Sequence, residues 1–186
     1  MGRLPSSRFL AVVSLRPRQQ CHPRSPCRIH HRERPRFGHR CSTEWDAFDL
    51  RTHAGLSIEV KSCAYLQSWE QNRLSTITFS IRETRAWDSV TGLRQSEALR
   101  QAQLYIFALL IHQEGKATLD PLNLDQWRFY PVLTSKLNER SQGQQSLGLR
   151  ALEALCPVPL HFNELRTAVR ELEAGLGLAA SSGANE

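Results

Sequence analysis

The chain lacks the features that would tie it to a membrane or to a disulfide scaffold. None of its apolar runs approaches 18 residues, so no segment reads as a transmembrane helix. Its five cysteines are odd in number and irregularly spaced, which argues against a disulfide framework. No C-x2-C or H-x3-H pair is present, so the usual zinc-ligand spacings are missing. No internal repeat is visible, and 186 residues suit one domain with a real core. Lysine is absent from the first 43 residues, although that stretch is strongly basic.

Charge is divided unevenly. Residues 1–43 hold ten Arg and one acid (Glu33), a balance of +9, whereas residues 44–186 hold 14 basic and 17 acidic residues, a balance of −3. The overall +6 therefore says little about the body of the protein, and general basicity is no argument that it binds nucleic acid. Residues 1–43 also hold four of the seven His, three of the five Cys and five of the nine Pro. Three readings of this segment compete: a disordered basic arm that contacts phosphates, a metal knuckle built from Cys21, Cys27, His30, His31, His39 and Cys41, and a stretch in a shifted reading frame joined to the domain at residue 44. Phe9–Val13 faintly resembles a signal-peptide core, but it is short and Arg16 and Arg18 follow at once, so a cytoplasmic protein is expected.

From residue 44 the pattern is regular. Strands are expected at about 45–51, 56–66, 74–82, 105–112 and 127–135. In the third, Leu74, Thr76, Thr78 and Ser80 alternate with Ser75, Ile77, Phe79 and Ile81. The run Leu104–Ile111 is continuously apolar, as in a strand buried on both faces. A helix over Ser96–Leu104 is expected before it, and Pro131 places the last strand at a sheet edge. Asp120-Pro121 marks a turn. The C-terminal part reads as helical: a short segment over Ser146–Leu155 stopped by Pro157 and Pro159, then a helix with Leu165, Ala168, Val169 and Leu172 on one face, Asn163 as its N-cap and Gly175 and Gly177 at its end. The expected division is 1–43, a domain over 44–175, and a flexible tail over 176–186.

The chemistry is concentrated in two short runs, Trp45–Leu50 and Leu56–Ser62, separated by Arg51-Thr52-His53-Ala54-Gly55, which reads as a hairpin turn. Strand alternation points Ile58 and Val60 one way and Glu59 and Lys61 the other, about 6.6 Å apart along the chain. Asp49 on the neighbouring strand can join them. Magnesium takes oxygen ligands, and the carboxylates of Asp49 and Glu59 with the carbonyl of Val60 would supply three. Such an ion polarises a phosphate and acidifies a bound water, while Lys61 can orient that water or hold developing charge. An acid and a lysine two apart on a strand is, by itself, more often a solvated surface pair.

The text Trp45-Asp46-Ala47-Phe48-Asp49-Leu50, Ile58-Glu59-Val60-Lys61-Ser62 and Ala64-Tyr65-Leu66-Gln67-Ser68-Trp69 resembles the PD-(D/E)XK nuclease superfamily, over about residues 44–140. Within it the chain looks most like a group of small bacterial proteins with an EVKS…YLQSW signature. The resemblance implies an α/β, restriction-endonuclease-like mixed sheet with flanking helices, Mg²⁺ (or Mn²⁺) as cofactor, DNA as partner with a dimer left open, and phosphodiester hydrolysis as the activity. It implies Asp49 and Glu59 as the two acids and Lys61 as the motif lysine. Asp46 is a rival to Asp49 but faces oppositely on period 2. The residue before Asp49 is Phe48 rather than proline, and the family's first core helix is missing or replaced by the arginine-rich segment. Ser62 and Gln67 are candidate phosphate-binding residues, Gln67 on the face of Glu59 and Lys61 if the strand runs that far. Gln101-x-x-x-Tyr105 resembles a motif on the second core helix of recombination-type nucleases. Tyr65, Trp69, Trp87, Phe129 and Tyr130 read as core rather than base-stacking platforms, and Cys63 and Cys156 as small apolar residues. Against the nuclease stand a catalytically inactive nucleic-acid-binding or scaffold protein that kept the fold, and a zinc-bearing arm fused to a nuclease-like body.

Overall fold

The computed structural model describes residues 48–178, apart from 86, 89–92 and 95. The arginine-rich segment with its Cys and His residues, Glu33, Trp45, Asp46, the Trp87 side chain and the end of the tail lie outside the described residues.

A four-stranded mixed sheet organises the molecule. Its strands are β1 (Leu50–Arg51), β2 (Ser57–Ala64), β6 (Leu104–Leu110) and β7 (Trp127–Leu133), in the order β1-β2-β6-β7. β1 and β2 are antiparallel, with Leu50 opposite Ile58. β2 and β6 run parallel, with Glu59 opposite Tyr105 and Lys61 opposite Phe107. β7 returns antiparallel to β6. The turn between β1 and β2 closes through Thr52, whose hydroxyl accepts from the Leu56 N–H at 3.1 Å and whose carbonyl accepts from the Gly55 N–H. Gly55 sits at φ +92°, a backbone conformation in which L side chains are strained, so the glycine that ends the turn is there for its backbone. Pro131 lies on β7, an edge strand as expected, whose outer side is bridged at Phe129 by Leu160.

A parallel pair needs a crossover, and residues 65–103 provide it. They carry β3 (Thr78–Ser80), β4 (Trp87–Asp88) and β5 (Leu93–Arg94). β4 and β5 form a small antiparallel pair. The third strand is shorter than expected and does not extend a meander with β1 and β2. It pairs antiparallel with β8 (Ser146–Gly148) in a separate two-stranded sheet. Its apolar residues explain this. Ile77, Phe79 and Ile81 are buried, and Phe79 meets Phe107 edge-on with ring centroids 5.1 Å apart.

Three α-helices complete the described residues: α1 (Thr134–Arg140), α2 (Leu149–Leu155) and α3 (Phe162–Gly175). α1 was not anticipated. The segment read as helical over Ser146–Leu155 divides instead, because Leu147 is drawn into the core by pairing with Phe79 before the helix starts at Leu149. α3 follows the expected face, with Leu165, Val169 and Leu172 against the sheet. Its N-cap is His161, not Asn163, and Glu164 accepts from the His161 N–H at 2.7 Å. The helix ends at Gly175, followed by Gly177 at φ +70°, and Leu178 still packs on the core.

The core has two sheets of contact sharing β6. Leu104, Ile106, Ala108 and Leu110 face α3, while Tyr105, Phe107 and Leu109 face β3, β8, α1 and α2. All seven β6 residues are buried, as the unbroken apolar run requires.

The expected helix over Ser96–Leu104 is absent. Arg100, buried to 7% exposure, bonds the carbonyls of Ile81, Ser141 and Gln144 and the side chains of Glu83 and Asn138. Thr84 and Leu99 pair as an isolated bridge, and Gln103 exchanges hydrogen bonds with Ser57. These distant partners outcompete the i to i−4 bonds that the local sequence favours.

Candidate active site

β2 carries Glu59 and Lys61 on the sheet face that β3 and β8 only partly cover. The two side chains are joined as an ion pair, with Glu59 the more buried. Neither points at Ile58 or Val60, which belong to the opposite core, so the expected alternation holds. Asp49 comes from the residue before β1. Its N–H donates to the Ile58 carbonyl at 3.0 Å, and its Oδ2 accepts from the Val60 N–H at 2.7 Å. The carboxylate thus extends the β1–β2 ladder and is tied to the peptide between Glu59 and Lys61.

Burial raises the affinity of Glu59 for a proton, and Asp49 adds to that rise, while the hydrogen bond and the charge of Lys61 lower it without cancelling it. Tyr105, opposite Glu59 on β6, is pushed up to about 12, by burial first and by the Glu59 charge second. Its phenol therefore remains a neutral hydroxyl.

Glu59, Lys61 and Tyr105 form one wall of an open cleft of about 580 Å³. The other wall comes from β3 and its extension, with Thr78, Ser80, Arg82 and Thr84, and from Gln145 and Ser146 at β8; Gln101 also lines the cleft. Asp49 is not among the lining side chains. Ser62 is exposed and, by strand alternation, lies on the face of Ile58 and Val60, away from the cleft. Gln67 is also outside it. β2 stops at Ala64, short of the expected residue 66, and Gln67 Nε2 instead bonds the Ala64 carbonyl at 2.8 Å and the Ser75 hydroxyl at 3.2 Å, closing the loop after the strand. Gln101 and Tyr105 both reach the cleft, but not from one helix. Gln101 sits in the irregular segment with its Nε2 on the Thr84 carbonyl, and Tyr105 is on β6. Trp69 is exposed, whereas Phe129 and Tyr130 are core residues.

Sequence reasoning missed the far wall. The signal was the period-2 row Thr78, Ser80, Arg82, Thr84, which reads as an ordinary solvated face until the fold sets it across from Glu59.

Asp49 and Glu59, the acids expected to hold a divalent cation, each engage one protein donor. Among the described residues no group of three or more His, Cys, Asp and Glu side chains is gathered, so further ligands would have to be backbone or water oxygens, as magnesium accepts. Among the described residues no helix is long and apolar enough to cross a membrane. No protein-family model, curated protein or solved structure matches the chain.

Proposed function

We propose that this protein is a metal-dependent phosphodiester hydrolase acting on DNA, with a restriction-endonuclease-like (PD-(D/E)XK) core. The mixed sheet with helices beside it is compatible with that core. The observation that carries the reading is the meeting of Glu59 and Lys61 on one wall of a polar cleft, with the Asp49 carboxylate held against the peptide that joins them. Asp49, Glu59 and the Val60 carbonyl would hold Mg²⁺ or Mn²⁺, which when bound polarises a phosphate oxygen and acidifies a water. The chain's own residues then have definite tasks. Asp49 fixes the Val60 peptide and supplies negative charge. Glu59 must be ionised, and its raised proton affinity makes it sensitive to acid. Lys61, paired with Glu59 in the structure, would supply an ammonium to the charge developing on the phosphate. Tyr105 offers a neutral O–H that does not compete for the cation.

Nicking of supercoiled plasmid in Mg²⁺ or Mn²⁺ tests this. The protein is expected to nick, and Glu59→Gln, Lys61→Ala and Asp49→Asn to lower the rate by roughly 10²-fold or more. Unchanged nicking in Glu59→Gln and Lys61→Ala would remove the site. A second reading is a catalytically inactive nucleic-acid-binding protein with a nuclease-derived fold, since among the described residues no three-ligand cluster is gathered. DNA binding without nicking in either metal would select it.

A further inference from the structure

We propose that Thr78, Ser80 and Arg82 form a phosphate-binding wall that holds a nucleic-acid strand by its sugar–phosphate backbone, not by its bases. The proposal rests on the hydrolase reading only for the choice of DNA as the strand.

The wall is built by alternation. Ile77, Phe79 and Ile81 are 5%, 1% and 0% exposed and belong to the core, which forces Thr78, Ser80 and Arg82 outward into the cleft that Glu59 and Lys61 also line. Pairing with β8 widens it. Ser80 lies opposite Ser146, adding a second hydroxyl, and Thr78 lies opposite Gly148, where an added Cβ would meet nothing within 4 Å. The wall is thus hydroxyl-bearing and open.

Charge singles out Arg82. The Lys61 ammonium is committed to Glu59. The nearby Arg100 guanidinium is buried and bonded to three carbonyls and two side chains. Arg82 lines the cleft, is exposed, and forms no ion pair among the described residues. A guanidinium flanked by hydroxyls matches the oxygens of a phosphodiester, which accept several hydrogen bonds and carry one charge.

Among the described residues base recognition has no comparable equipment. Among the described residues Tyr105 is the single aromatic residue lining the cleft, and it is 4% exposed with its ring stacked on Phe107 at 5.9 Å. It offers no face for stacking. Gln101, which could read a base edge, has its amide nitrogen on the carbonyls of Thr84 and Leu99. Binding through the backbone alone follows.

Fluorescence anisotropy with short labelled DNA duplexes of two unrelated sequences, in EDTA and across a salt series, tests the wall without cleavage. Arg82→Ala is expected to weaken binding roughly tenfold and to reduce the slope of log K against log salt by about one. Arg82→Lys should keep the slope, and Thr78→Val should weaken binding a few-fold without changing it. The two sequences should bind alike. The proposal is overturned if Arg82→Ala binds with wild-type affinity and slope, if the sequences differ by more than about tenfold, or if the wild type binds neither duplex at low salt. Circular dichroism melts of the variants keep a folding defect from imitating a binding one. Wild-type nicking with unaltered Arg82→Ala binding would remove the wall and leave the hydrolase. The expected binding pattern without nicking would do the reverse.

Discussion

The surroundings of Glu59 disfavour its ionised form. Burial is the largest cause, the negative charge of Asp49 adds to it, and Lys61 opposes both without winning. A carboxyl that binds its proton more tightly in the folded chain than in the unfolded one supports the fold fully when protonated, below its ordinary value of 4.5, and that support is lost as pH rises through the raised folded value. Ionisation of Glu59 therefore works against stability. Glu59→Gln, which keeps the shape and removes the charge, is expected to melt at a higher temperature than the wild type at pH 7. The difference should shrink on acidification and vanish below pH 4.5, where the wild-type side chain is itself neutral. Melting curves by circular dichroism across that range would show it. A variant that melts lower at pH 7 would mean that the Lys61 pair outweighs burial.

Among the elements, the segment from Ser96 to Gln103 departs furthest from its local preferences. Glu97, Ala98, Leu99, Arg100, Gln101 and Ala102 are good helix formers, yet the chain there is irregular. Arg100 decides the matter through partners 17 to 44 residues away in the chain. Replacing it by alanine would strand the Ile81, Ser141 and Gln144 carbonyls and open a gap beneath the cleft. The expected loss is about 3–5 kcal/mol in urea unfolding. Arg100→Lys should recover little, since one ammonium cannot reproduce the planar fork. A loss under about 1 kcal/mol would show that water or neighbouring side chains replace these bonds. The same contrast explains what was legible in the sequence. β6 was legible because seven apolar residues in a row admit few other placements, α3 because its apolar residues recur at helical spacing, and Glu59 with Lys61 because two residues on a strand must share a face. The Arg100 bonds and the pairing of β3 with β8 were not, since both depend on residues far apart in sequence. The wall around Arg82 was hidden for the same reason: its residues were visible, and what they face was not.

Across the whole molecule, β6 makes the two cores one. Its even-numbered residues pack toward α3 and its odd-numbered residues toward β3, β8, α1 and α2. Neither layer can leave without exposing one side of a strand buried throughout. The cleft is built on this arrangement. Glu59, Lys61 and Tyr105 sit on the two central strands, and the opposing wall is fixed by Phe79 on Phe107. Unfolding of the described body should therefore be a single transition, with tryptophan fluorescence, sensitive to the buried Trp127, and far-ultraviolet circular dichroism giving the same midpoint. Leu165→Ala, in the α3 layer, is expected to cost about 2–5 kcal/mol, and Phe79→Ala, in the opposite layer, about 3–5 kcal/mol. Each should shift both signals together. If Leu165→Ala separated the two curves, α3 would be melting from a sheet that survives alone, and the cleft would no longer depend on the layer behind it. If the curves remain coincident in both variants, the geometry that brings Arg82 opposite Glu59 is a property of the entire fold and not of the β2–β3 region by itself.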